Sequence, residues 1–465
     1  MGQPKAGSYF RAIGYLGRRQ DPDSLPCRGL PSTVPISMHI PALLKVLCCF
    51  GLILALNRLR LHLSLCLFIG AVAVGFWMGQ SPVQIGHGLL LSSTSMETLQ
   101  LVAIICLILV VSQLMKVSGQ LDRIVKNFVA LVKNASTVSV VMPALIGLLP
   151  MPGGALFSAP MVETAVTGCS LSQDRKTAVN YWFRHIWEFW WPLYPGVVLA
   201  VSLLQVEMWR FILIQAPLTL LAVGAGSIFL LRPLRGNNSR DNHENRGKKV
   251  LGPFLWEVMP ILLVVGCIVF LALLRSCLSW TGIKVNLPTS LPLLLGLLTC
   301  SIWVMWANKL GLQDLWRAVL NRNTLPMLLL IFGIMAFKGA LISSQAVLQI
   351  REEMVRYQIP FLIVVMGMPF ISGLITGIAV GFVGATFPLL VPLFVGLSPL
   401  DFLLHASLAY VSGYVGMMLS PVHICLLVTK DYFKASLAAS YRHIYKPAVT
   451  VMLTWIVILG LIHSL

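Results

Sequence analysis

The chain has 465 residues, of which 57% are hydrophobic and 11% charged, with a mean hydropathy of +0.85. Soluble globular proteins run at roughly 45–50% apolar and about 25% charged, so the composition excludes a water-soluble domain and indicates an integral membrane protein. The formal net charge of +18 would suggest nucleic acid in a soluble chain; here it first asks which loops hold the basic residues, and no nucleic-acid partner is expected.

Residues 1–37 carry Lys5, Arg11, Arg18, Arg19 and Arg28 among prolines and glycines, without apolar periodicity. They read as a disordered extension, with Met38 a candidate start. The first membrane repeat is placed at 38–231. Its spans are expected near 38–55, 61–79 and 97–115, then a broken stretch at 135–168, then 178–203 and 209–231, each close to the roughly 20 residues a bilayer requires. Residues 232–249, RPLRGNNSRDNHENRGKK, mark a solvated linker at 232–250. The second repeat, 251–465, is expected to hold spans near 254–275, 288–307 and 324–345, a broken stretch at 359–397, and spans at 402–429 and 446–464.

The two halves match at an offset of 226 residues, which pairs Met142-Pro143 with Met368-Pro369, Gly147 with Gly373, Pro195 with Pro421 and Gly70 with Gly296. With the first helix starting outside, the inner loops hold the basic residues around Arg58, Lys116–Lys133, Arg175, the linker, Arg317 and Lys430–Lys446, and the outer side, beyond a basic N-terminal extension that a start at Met38 would remove, only Lys284, Arg351 and Arg356. By the excess of basic residues on the cytoplasmic side, the linker is cytoplasmic. Five spans in the first half then place the second upside down. The expected fold is all-α: two inverted-topology repeats, about ten transmembrane helices and two re-entrant hairpins.

Each broken stretch is a candidate site. In LPMPGGALFSAPMVETA at 149–165 the prolines and glycines cannot continue a helix, and backbone freed at membrane depth must face protein or a water-filled cavity. Exposed helix N-termini suit an anion and freed carbonyls a cation. The substrate candidates are Met151, Gly153, Gly154 and Ser158 in the first hairpin and Thr376, Gly377, Gly381, Gly384 and Thr386 in the second; for the glycines, close helix packing is the alternative. A second break follows each hairpin, in NYWFRHIWEFWWPLYPGVVLA at 180–200 and GYVGMMLSPVHICLLV at 413–428. It adds Tyr194 and Ser420.

Arg184, His185 and Glu188 form a charged cluster inside an apolar element, with Arg184 and Glu188 on one helical face. They are candidates for substrate contact or proton coupling, an interfacial anchor among the tryptophans being the alternative. Glu163, Lys338 and His423 complete the charge candidates, with pairing or snorkelling as the other explanation. The ten cysteines show no CxxC pair and no Cys/His cluster of ligand spacing, so they read as packing residues and no metal site or cofactor is expected.

Enzyme signatures are missing: His243-Glu244 has Gly247 where a zinc protease has histidine, and no phosphate-cradling GKT or GKS occurs. Transport would be secondary, coupled to H+ or Na+.

The 149–165 and 180–197 strings and GYVGMMLSPVHICLLVTKDYF resemble the bacterial and archaeal domain of unknown function family 401, over roughly residues 40–465. That family is grouped with the ion transporter superfamily, similar to gluconate, lactate, citrate and dicarboxylate permeases. The resemblance implies two inverted halves, re-entrant hairpins, a bacterial cytoplasmic membrane and often a dimer working by an elevator movement. Neither hairpin here carries the Ser-Asn-Thr tip through which the dicarboxylate carriers bind sodium and carboxylate. The expected function is a secondary transporter of a small anion, an organic acid, with a homodimer as candidate assembly; a channel or a non-transporting scaffold is the alternative.

Overall fold

The computed structural model describes residues 40–131, 135–148, 150, 154–167, 171–232, 247–280, 288–322 and 324–464. Among these the chain is helical, with no strand. Ala42–Leu465 form one compact unit; of the other, Met1–Pro41, only residues 40 and 41 are described. The extension at 1–37 and linker residues 233–246 lie outside the described residues. Helix begins at Gly247, inside the stretch assigned to the linker.

The helices run α1 Ala42–Arg58, α2 Leu63–Trp77, α3 Pro82–Thr94, α4 Met96–Val117, α5 Gln120–Leu131, α6 Ala135–Gly147, α7 Ala155–Ala165, α8 Gln173–Arg184, α9 Pro195–Leu204, α10 Met208–Gln215 and α11 Pro217–Phe229. After the linker come α12 Gly247–Trp280, α13 Leu291–Ala307, α14 Leu312–Val319, α15 Thr324–Ser343, α16 Ala346–Arg356, α17 Phe361–Thr376, α18 Ala379–Leu390, α19 Pro399–Met418, α20 Ile424–Tyr432 and α21 Leu437–Ser464.

Among the described residues, five helical segments are long and apolar enough to cross a membrane: Met96–Val117, Met208–Phe229, Leu251–Leu278, Thr324–Ser343 and Leu437–His463. Their burial separates centre from periphery. The apolar stretches of Met96–Val117 and Thr324–Ser343 are each 56% buried, against 22% for Leu251–Leu278 and 33% for Leu437–His463. The outer helices expose Leu262, Phe270, Leu273 and Leu453, which suits hydrocarbon rather than water.

Each broken stretch holds a pair of helices packed on one another, α6 with α7 and α17 with α18, and most of the residues joining the first pair lie outside the described residues. The second turns at Gly377, whose φ of +65 lies in the left-handed region open to glycine. Both second breaks also occur: α8 stops at Arg184 and α9 starts at Pro195, while α19 stops at Met418 and α20 starts at Ile424. Four short helices, α3, α5, α14 and α16, were not expected. α5, α14 and α16 carry charge, too much for a span, and α5 and α16 fasten the outer helices. Arg123 of α5 pairs with Glu257 of α12 at 2.7 Å. Glu353 of α16 accepts the first two α1 amides, from Ala42 and Leu43, at 2.7 Å each, capping that helix with a carboxylate.

Candidate functional site

The hairpins and breaks meet through glycines. Gly147, at the end of α6, lies so close to α8 that a Cβ there would come within 2.1 Å of the Arg184 carbonyl. A Cβ on Gly154 would meet the Arg184 guanidinium at 2.6 Å, so the start of α7 rests on that side chain. In the second half, a Cβ on Gly377 would come within 3.0 Å of Ser420 Oγ and 3.1 Å of the His423 amide, and one on Gly196 within 2.6 Å of Ala379. The N-termini of α9 and α18 therefore abut. α9 packs on α18 and α20 on α7, so each hairpin's second limb rests on the other half's post-break helix.

The breaks free backbone carbonyls, and the dense aromatic residues of 180–200 and 410–414 satisfy them. Tyr414 donates to the His185 carbonyl at 3.0 Å, Tyr410 to that of Glu188 at 2.8 Å and Tyr181 to that of Met418 at 3.1 Å. At the end of α6, Trp187 and Trp191 donate to Ala144 and Leu148 at 2.9 Å each, and the Tyr194 hydroxyl donates to Gly147. Backbone that lipid could not satisfy is thus satisfied by protein. The amide ends contrast. The half-helices α7, α9, α18 and α20 all begin without a side-chain cap, whereas Ser81, Ser95, Ser172 and Ser398 cap α3, α4, α8 and α19. Each of these helix N-termini carries the positive end of a helix dipole.

Buried ionisable groups line this junction. Arg184 is 2% exposed, His185 1% and His423 6%. His185 Nε2 lies 3.1 Å from His423 Nε2 and 3.8 Å from Glu188 Oε1. Tyr181 packs against both imidazoles. The sequence candidates Gly154, Arg184, His185, Glu188, Tyr194, Gly377, Ser420 and His423 are therefore linked by direct contacts.

Other candidates lie elsewhere or pack. Met151 and Gly153 fall outside the described residues. Ser158 is buried and donates to the Ala155 carbonyl at 3.2 Å; Thr386 does likewise to Phe382 at 2.6 Å. A Cβ on Gly381 would strike Thr376, whose hydroxyl bonds Ser372, and one on Gly384 would strike Ile334. Lys338 is held by Glu97 at 2.6 Å, which also accepts from Gln205 at 3.0 Å. Glu163 is exposed and accepts the Tyr432 hydroxyl at 2.8 Å; that carboxylate raises the Tyr432 phenol above its ordinary value.

Two site residues escaped the sequence. Asn180 donates to the Ala155 carbonyl at 2.9 Å and to Thr429 at 3.1 Å, while its buried Oδ1 has no hydrogen-bond partner among the described residues. Cys425, assigned to packing, lies with His185 and His423, all three buried and their ligand atoms within 4.8 Å of one another. Spacing along the chain hid this group because His185 stands 238 residues before His423; the only local signal was His-Ile-Cys at 423–425.

None of the curated proteins compared matches the chain. The model of the family described as Protein of unknown function (DUF401) matches residues 42–462, which takes in both hairpins and both breaks, and the chain belongs to that family.

Proposed function

We propose that the chain is a secondary transporter of a small anion, an organic acid, working by ion-coupled alternating access. The observation that carries this reading is the polarity of the junction: α7 begins without a side-chain cap against the buried Arg184 guanidinium, while the carbonyls of His185 and Glu188 are taken by Tyr414 and Tyr410. A guanidinium against a helix N-terminus, as at Gly154, concentrates positive potential that an anion would offset.

The architecture proposed with it is a pair of inverted repeats, ten spans and two hairpins. A shift of 226 residues carries α4 onto α15, α5 onto α16 and α7 onto α18 to within two residues at each end. Contacts between halves come in reciprocal pairs: α5 with α12 and α16 with α1, α4 with α13 and α15 with α2, α9 with α18 and α20 with α7. Reciprocity of this kind supports a twofold relation, and the basic inner loops support an axis in the membrane plane. The proposed setting is a bacterial cytoplasmic membrane with the linker inside.

A thermal-shift screen of the purified protein against small organic and inorganic anions, with and without sodium and at several pH values, tests this reading. A ligand at 100 times its dissociation constant stabilises by about 2.7 kcal/mol. A carboxylate hit whose shift grows with sodium or acid is expected and names the coupling ion. No hit among anions would overturn the reading in favour of a channel or scaffold.

A further inference from the structure

Three metal-ligating side chains meet where the two breaks touch. The ligand atoms of His185, His423 and Cys425 lie within 4.8 Å of one another. Both imidazoles are pinned from behind: Nδ1 of His185 is 2.6 Å from the Tyr181 carbonyl, and Nδ1 of His423 is 3.4 Å from the Met417 carbonyl. A carbonyl only accepts, so both contacts suit the tautomer with its hydrogen on Nδ1, which leaves the Nε2 lone pair for a ligand. These lone pairs face one another at 3.1 Å. Two acceptors so close repel unless a cation joins them, either a shared proton or a metal ion.

The neighbours decide between the two. A thiol completes the group, and the Glu188 carboxylate stands 3.8 Å from His185 Nε2. Four-coordinate zinc, with bonds of about 2.0–2.3 Å, holds adjacent ligand atoms about 3.3–3.6 Å apart; the observed 3.1 and 3.8 Å bracket that spacing. Ligating histidines commonly donate their other nitrogen to a carbonyl, as both do here. Imidazole with thiolate selects zinc and its neighbours over magnesium or calcium.

We propose that His185, His423 and Cys425 bind a zinc-class transition-metal ion, with the fourth coordination position beside Glu188. Binding converts the Cys425 thiol to a thiolate and releases its proton to the medium. The ligands come from both breaks, so the bound ion ties the first to the second.

The test is metal content and spectroscopy on the full-length protein in detergent. After chelator treatment and incubation with Zn2+, then removal of free metal, elemental analysis should find about one zinc per chain, as for a single four-coordinate site. With Co2+, the protein should show visible bands of a four-coordinate ion and a thiolate-to-cobalt charge-transfer band. Cys425→Ser, nearly isosteric, should remove the charge-transfer band, and His423→Ala should weaken retention by about 100-fold or more. A wild-type protein that retains no zinc and gives no cobalt spectrum would overturn the site and leave a shared proton. So would a spectrum unchanged in Cys425→Ser. No anion is present in these measurements, so protein that binds anions without retaining metal would sink the metal site alone.

Discussion

Gly416→Ala should destabilise the protein by about 3 kcal/mol, at the upper end of the cost of overpacking. A Cβ at Gly416 would lie 2.1 Å from the Phe370 carbonyl oxygen, and across the same interface one at Gly373 would lie 2.2 Å from the Gly413 oxygen. The obstacles are backbone atoms of the facing helix, so no rotamer change relieves them. α17 and α19 are in backbone contact along the hairpin that carries Gly377, and a methyl group there must push the hairpin away from the second break. Gly51→Ala is the control: nothing lies within 4 Å of its Cβ position. There the substitution should stabilise by roughly 0.5–1 kcal/mol through helix propensity. Thermal unfolding in one detergent separates the two. Equal midpoints for both variants would mean that α17 and α19 are not packed backbone to backbone.

Arg184→Gln should weaken anion binding at least about 30-fold while leaving the protein inserted and folded. Truncating one partner of a buried, charge-assisted contact costs about 2–5 kcal/mol, and about 1.4 kcal/mol is a factor of ten. Glutamine keeps a polar head on a shorter side chain and removes the charge. Gly154→Leu approaches the same contact from the other side, because any side chain there enters the space of the guanidinium. Both variants should lose the thermal shift produced by the anion. An affinity unchanged in both would remove Arg184 from the site.

Much of this architecture was legible in the sequence, because the helix breakers are local. Pro192, Pro195 and Pro421 mark places where no helix continues, and Gly377 is where α17 ends and the chain turns into α18; Gly373, by contrast, sits within α17. The short helices α5, α14 and α16 were not legible for the converse reason. They are too charged for the hydropathy of a span, and their stability comes from contacts such as Arg123 with Glu257 and Glu353 with the α1 amides. An interfacial anchor among the tryptophans was the alternative for this region, and Trp187, Trp191 and Tyr194 donate to carbonyls at the end of α6 and just after it. Arg184, His185 and Glu188 stood out because charge is rare in apolar helices. Cys425 and Asn180 did not, since a cysteine in a hydrophobic run is ordinarily a small packing residue and their partners arrive from the other half of the chain.

The most direct test of the transport account is counterflow in proteoliposomes, using the anion that gives the largest thermal shift. Vesicles loaded with that anion unlabelled and diluted into labelled anion should take up label transiently above equilibrium, saturably, and the uptake should vanish in Arg184→Gln. Overshoot of this kind requires a site that alternates between the two sides. Uptake that never exceeds equilibrium and does not saturate would identify a channel, and no uptake beyond that of empty vesicles would identify a protein that does not transport.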